Sequence, residues 1–440
     1  MSNESKKPSI VALLPIGVFV VLYLGLGIIF EYVMKINMGF YNIPIVVIFL
    51  VALLVACIQN RKIPFDTQLE IMAKGAGDKN IITMLLIFMV AGIFVGVVGR
   101  SSAESVAYFL LSIITSNFAV VVLFVVAAFV SLSMGTSVGT ITLIVPVAVA
   151  VAQTTDFSVV MCVGAVVGGA MFGDNLSFIS DTTIAACNGQ GCQMKDKFRE
   201  NLGIALPAAI VTMVVLFVMS FHSGGMEVIH HEYNLILIIP YLIVLVGGII
   251  GFNVFTVLIA GIVVGGIIVL ATGTTVATDI LGNMGSGVAG MFETSMVAIL
   301  VSAICALIAE AGGFVALLNL FGKIFKGNRG GQLGMGLLVG IMDIATANNT
   351  VAIVMANPIA KEMSAKYDIS PKRAASILDT FSCIFQGIIP YGAQMLVALF
   401  AVTELGYMVS AFEILPYLIY PYMLLLSCLV HIFFIKKKKA

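Results

Sequence analysis

The chain has 440 residues, 60% of them apolar and only 10% charged, with a mean hydropathy of +1.14. That leaves too few polar side chains to cover the surface of a water-soluble fold, so the composition excludes a soluble globular protein. The formal net charge of zero names no partner of its own, and no nucleic-acid partner is expected.

Ile10–Phe30 carries no charge over 21 residues, about the length that crosses a bilayer. It follows Lys6 and Lys7, but it is longer than the roughly 7–15 residues of a signal core and lacks a small-residue cleavage site, so it reads as the first span. Further long apolar segments fall at about 42–58, 81–99, 119–133, 137–152, 161–187, 202–221, 233–250, 254–270, 293–322, 331–360, 372–400 and 414–435. Together they predict an all-α polytopic membrane protein with the lipid bilayer as its main partner.

Sliding the chain on itself by 212 residues lays Ile141 on Ile353, Pro146 on Pro358, Ala148 on Ala360, Asp156 on Asp368 and Ser158 on Ser370. The cationic residues reverse under the same shift. Residues 59–80 carry Arg61, Lys62, Lys74 and Lys79, whereas 271–292 carry none. Residues 111–118 and 149–161 carry none; their counterparts carry Lys323, Lys326 and Arg329, and Lys361, Lys366, Lys372 and Arg373. Residues 188–200 carry Lys195, Lys197 and Arg199, and 400–412 carry none. Because Lys and Arg stay on the cytoplasmic side, two halves, 1–221 and 222–440, are expected to lie inverted across the membrane, as in many secondary transporters. The expected setting is the cell membrane, crossed several times, with both termini cytoplasmic; a homodimer is left open.

Segment 119–148 would begin and end outside with about 15 residues on each side of its centre, so it reads as a re-entrant hairpin with its tip at Gly135-Thr136-Ser137-Val138-Gly139-Thr140. Its counterpart has a tip near Ala347-Asn348-Asn349-Thr350. Each half then holds about five crossings and one hairpin. Segments 161–187 and 372–400 read as broken crossings, interrupted at Gly173–Asp181 and at Gln386–Gln394, where Pro390 removes a backbone donor.

These four interruptions should meet near the midplane. They supply hydroxyls (Thr136, Ser137, Thr140, Ser177, Ser180, Thr182, Thr350), amides (Asn175, Asn348, Asn349, Gln386, Gln394) and carboxylates (Asp174, Asp181), the oxygen ligands that hard cations take. Ionisable groups inside a membrane mark ion or proton paths, and a desolvated carboxyl holds its proton more tightly. Asp174, with Asp181 second, is therefore expected to hold either sodium or a proton. Asp343 and Asp379 are each a candidate for a second proton carrier, and equally for a partner of Arg373 or a hydrated end. Sodium and protons are cargo, and no cofactor is expected. There is no Gly-Lys-Ser/Thr nucleotide loop and no nucleophile–base arrangement, so the chain does not read as an ATPase or an enzyme.

Gly135-Thr136-Ser137-Val138-Gly139-Thr140 and Gly173-Asp174-Asn175-Leu176-Ser177-Phe178-Ile179-Ser180-Asp181-Thr182-Thr183 resemble signature segments of the NhaC-type sodium/proton antiporters, within the broad ion transporter superfamily. Ile388-Ile389-Pro390-Tyr391-Gly392-Ala393 is similar to that family's later Ile-Pro-aromatic segment. The resemblance implies inverted repeats with paired hairpins and exchange of sodium or lithium for protons. The family often has Lys at the place of Asn175, Ser-Pro-Leu-Ser at the place of Ser177–Ser180 and Trp at the place of Val138. Losing the lysine would remove a positive charge beside Asp174. The family also includes malate/lactate exchangers, so a coupled carrier of a small carboxylate or amino acid is the alternative. Against it stands the lack of a cationic residue within either break; for it, the amides of Gln386 and Gln394.

Overall fold

The computed structural model describes residues 7–36, 43–113, 118–155, 157–177, 180–222, 233–250 and 252–434, and all regular structure among them is helical. Phe178 and Ile179 of the first break lie outside the described residues. The first half runs α1 (Leu14–Ile28), α2 (Ile45–Gln59), α3 (Phe65–Ala76), α4 (Lys79–Ile113), α5 (Ala119–Met134), α6 (Ser137–Thr154), α7 (Val159–Leu176), α8 (Asp181–Gln190) and α9 (Met194–His222). The second runs α10 (Leu235–Ile250), α11 (Val254–Ala271), α12 (Ala277–Gly290), α13 (Phe292–Glu310), α14 (Gly313–Ile324), α15 (Gly327–Thr346), α16 (Asn349–Lys366), α17 (Pro371–Ile388), α18 (Ala393–Glu404), α19 (Ala411–Ile414) and α20 (Ile419–Phe433).

Among the described residues, 7 helical stretches are long and apolar enough to cross a bilayer, or 8 if Ala411–Tyr417 and Ile419–Phe433, bent by 51°, form one span. The chain is an all-α polytopic membrane protein. Helix α9 shows how its surface is divided. Leu206, Ile210, Val214 and Val218 recur every four residues and are exposed, as a lipid-facing stripe must be. Lys197, Asn201, Ile204, Ala208 and Thr212 are buried and form the stripe turned to the protein.

Helix boundaries recur at the 212-residue spacing. Shifted so, α6 falls on the bounds of α16 and α7 on those of α17, while the start of α8 falls on that of α18. Each hairpin turns at a left-handed residue, Gly135 (φ 68°) in one and Ala347 (φ 47°) in the other. Glycine adopts that conformation freely and alanine does not. Ala347 is held there by its amide on the Asp343 carbonyl (2.8 Å) and by Gln386 Nε2, which donates to its carbonyl (3.0 Å). The next residue caps the second arm in both hairpins. Thr136 Oγ1 accepts from the Gly139 amide (3.4 Å) and Asn348 Oδ1 from the Val351 amide (3.0 Å).

Three sequence expectations need correcting. The arms of the first hairpin have 16 and 18 residues rather than about 15, and α6 reaches spanning length. Burial, not length, sets α6 apart, since every residue except Gln153 is buried. Second, the stretches 59–80 and 271–292 are not simple connections but hold α3 and α12. Ser302 on α13 donates to the Gly75 carbonyl (2.7 Å), and α12 lies against α4 at Gly92, Gly96 and Gly287. Third, the apolar segment 293–322 is divided at Ala311 and Gly312, the latter at φ 77°.

A Cβ on Gly92 would run into the Gly287 backbone, whereas one on Gly17 meets nothing within 4 Å. Small residues let helices in lipid approach this closely, and overpacking costs roughly 1–3 kcal/mol. Gly92→Val is therefore expected to lower the melting temperature in detergent by several degrees, with Gly17→Val close to wild type.

Candidate ion-binding site

The two hairpin tips and the two breaks meet at a cavity of about 60 Å³. The first hairpin supplies Gly135, Thr136, Ser137 and Val138, and the second supplies Asn348, Asn349 and Thr350. Asp174, Asp181 and Thr182 come from the first broken crossing and Gln394 from the second, with Thr83 and Ile87 of α4 completing the wall. Residues far apart in sequence thus converge because each sits within a few positions of a helix interruption.

Asp174 is 3% exposed. Its Oδ2 accepts from Ser137 Oγ (2.8 Å), which accepts in turn from Gln394 Nε2 (3.1 Å). Gln386 Nε2 donates to Gln394 Oε1 (2.8 Å) and to the Ala347 carbonyl at the second hairpin tip (3.0 Å). One line of hydrogen bonds therefore joins all four interruptions. Asp181 is unlike Asp174: it is exposed, the first residue of α8, at the edge of the cavity. Thr182 is buried and its hydroxyl shares a hydrogen bond with that of Ser180 (2.6 Å).

Other expected residues lie away from the cavity wall. Thr140 Oγ1 donates to the Thr136 carbonyl (2.8 Å) within its own helix, and Ser177 Oγ ties the break to the Leu132 carbonyl (2.7 Å). Asn175 turns toward α9. Its carbonyl accepts from Lys197 Nζ (2.6 Å) and Asn201 Nδ2 (2.9 Å), and its side-chain oxygen also bonds the Asn201 amide. Asp343 and Asp379 are fully buried and do not line the cavity. Asp343 Oδ1 accepts from Ser382 Oγ (3.1 Å), while its Oδ2 and Asp379 Oδ1 have no hydrogen-bond partner among the described residues.

The partner of Asp379 is Lys197, not Arg373. Arg373 bonds Gln332 Oε1 (2.8 Å) and Glu200 Oε1 (3.5 Å). Lys197, expected in a solvated loop with Lys195 and Arg199, is 1% exposed. Helix α9 begins at Met194, and at 3.6 residues per turn Lys195 and Arg199 point away from the side that Lys197 takes. Both are exposed. Lys197 Nζ also donates to Thr183 Oγ1 (2.8 Å), so its ammonium spans the break from Asn175 to Thr183. No cation lies within either break, but α9 brings one to the first, so the loss of positive charge implied by Asn175 is made good from another helix. The spacing of Lys197, Asn201, Ile204 and Ala208 was the available signal.

Among the described residues no three His, Cys, Asp or Glu side chains cluster as a resident metal would need. The cavity offers instead hydroxyl, amide and carboxylate oxygens, the donor set of a hard monovalent ion. A family model described as the Na+/H+ antiporter family matches residues 5–221 and 226–435. The chain belongs to that family. It is 24% identical to the Na(+)/H(+) antiporter NhaC of Bacillus subtilis (strain 168) over 389 residues, 79% of this chain and 83% of that one. An uncharacterized Na(+)/H(+) antiporter of Haemophilus influenzae is 29% identical over 181 residues, 38% of each chain. The malate-2H(+)/Na(+)-lactate antiporter of Bacillus subtilis is 25% identical over 153 residues, 34% of this chain and 33% of that one. For the latter two relatives the match thus spans only about a third of their length, 38% and 33%.

Removing one member of a buried ion pair costs roughly 3–5 kcal/mol, because the other charge is left without compensation. Lys197→Met should therefore destabilise this antiporter-family chain strongly. Combining it with Asp379→Asn should recover most of the loss. Thermal unfolding of the two single variants and the double variant in detergent gives the coupling.

Proposed function

We propose that this chain exchanges sodium, or lithium, for protons across the cell membrane by alternating access. The observation that carries the reading is the setting of Asp174. It is a buried carboxylate held by Ser137 and facing a small oxygen-lined cavity where the four helix interruptions converge. A carboxylate in that position can hold a sodium ion or a proton, and competition for one site that opens to one side at a time is enough for exchange. Membership of the Na+/H+ antiporter family supports the reading. The reversal of Lys and Arg between equivalent loops supports halves inverted about the site, with both termini cytoplasmic.

The alternative is coupled transport of a small organic acid, favoured by the likeness to a malate-2H(+)/Na(+)-lactate antiporter. The site lends it less support. A cavity of about 60 Å³ is well short of the roughly 300–1,000 Å³ clefts that take small organic molecules. The amides of Gln386 and Gln394 are engaged with each other, with Ser137 and with the Ala347 carbonyl. Lys197 is engaged by Asp379.

In inverted membrane vesicles with a preformed proton gradient and no organic solute, added sodium should dissipate the gradient. Asp174→Asn should reduce that response to background. Asp181→Asn, which removes only an exposed charge, should raise the half-saturating sodium concentration by no more than a few-fold, about 1 kcal/mol or less. A response that appears only when malate or another carboxylate is supplied would establish the alternative.

A further inference from the structure

We propose that Asp343 holds a proton that stays in place through the transport cycle, so that one sodium ion is exchanged for one proton. The inference rests on the sodium/proton reading above and concerns the charge of the same site.

Among the described residues, the buried acidic and basic side chains around the four interruptions are Asp174, Asp343, Asp379 and Lys197, none more than 3% exposed. Arg373, near the start of α17, already has Glu200. Three carboxylates therefore face one ammonium, and two negative charges need compensation. An unpaired charge so deeply buried is strongly disfavoured. Lys197 compensates Asp379. Whatever ion is being carried compensates Asp174.

Among the described residues, Asp343 is left without a cation. One of its oxygens receives the Ser382 hydroxyl, and the other has no hydrogen-bond partner among the described residues. The nearby Tyr391 hydroxyl is committed elsewhere, donating to the Ile344 carbonyl (2.8 Å). Ser382, which donates to Asp343, stands three residues after Asp379 on the same side of α17, so an ionised Asp343 would set a second negative charge close to the one that Lys197 already compensates. A carboxylic acid at 343 removes the uncompensated charge, and the oxygen left without a partner becomes the hydroxyl. Ser382 Oγ also lies 3.5 Å from the carbonyl of Asn349, a wall residue of the cavity. Asp343 is thus a positioning residue, acting through Ser382 on the second hairpin tip.

The coupling ratio follows from the same count. With a proton fixed at Asp343, the core is neutral whether Asp174 holds sodium or a proton, and both forms can pass between the two faces. Exchanging two protons for one sodium would leave the sodium-loaded core with one uncompensated negative charge.

The experiment uses the full chain in proteoliposomes. The sodium gradient that just balances a set pH gradient, with and without a membrane potential, gives the proton-to-sodium ratio. The expected result is one proton per sodium with a balance point insensitive to voltage. Asn has the shape and neutrality of a protonated Asp, so Asp343→Asn should keep both exchange and ratio. Infrared spectroscopy of wild type saturated with sodium should still show a protonated-carboxyl band that is missing in Asp343→Asn. A ratio of two, a ratio changed by Asp343→Asn, a folded but inactive Asp343→Asn, or a wild-type spectrum without the band would each overturn the inference. Wild type that moves no protons in response to sodium would instead overturn the sodium/proton reading itself.

Discussion

A charge withdrawn from water needs its opposite inside the protein, and the Lys197–Asp379 pair answers that need across the two halves of this chain. The lysine comes from α9 and the aspartate from α17. The same ammonium reaches the Asn175 carbonyl before the first break and the Thr183 hydroxyl after it. Asn201, one turn along α9, donates to Asn175 and accepts from Ser376 (2.8 Å) and Thr380 (2.7 Å) of α17. The first break is therefore held by side chains of two other helices, and those of α9 satisfy a backbone oxygen that an intact helix would have satisfied itself. Where Asp174 sits depends on this arrangement, because it immediately precedes Asn175.

The same accounting explains why irregular backbone is tolerated at the two hairpin tips. In hydrocarbon a free amide or carbonyl costs several kcal/mol. Here the hairpins close on left-handed residues and cap their second arms with Thr136 and Asn348. The hydroxyl of Ser177 and the amide of Gln386 are spent on the Leu132 and Ala347 carbonyls. Of the polar side chains brought together, some therefore build the walls and others face the cavity. Asp174, with Ser137 and Gln394 behind it, belongs to both groups, since one of its oxygens is fixed by the hairpin while the residue lines the cavity.

Much of this was legible in the sequence because hydrocarbon imposes a severe pattern. Long apolar runs located the spans, and small polar residues within them located the tips at Gly135–Thr140 and Ala347–Thr350 and the breaks at Gly173–Asp181 and Gln386–Gln394. The pattern was silent on α3 and α12, whose polar residues and glycines read as connections but lie on helices that approach their neighbours through Gly75 and Gly287. It also could not separate the two roles of a hydroxyl. Thr140 and Ser137 stand three residues apart on one helix, yet one bonds its own backbone and the other bonds Asp174. That distinction depends on which helix lies opposite.

Lys197 shows most sharply where a one-dimensional reading stops. As one of three cations in a short stretch it counted toward orientation, and Lys195 and Arg199, both exposed, still count that way. Its own position belongs to the buried stripe of α9, so the residue leaves the tally of solvated charges and enters the site. Read along the motif alone, Asn175 implied a first break stripped of positive charge. Read in space, the ammonium of Lys197 lies on the carbonyl of that asparagine, delivered by a different helix. What the break requires is a cation within reach of its carbonyls and of a facing carboxylate. Any residue able to place one there meets the requirement, wherever in the sequence it is written.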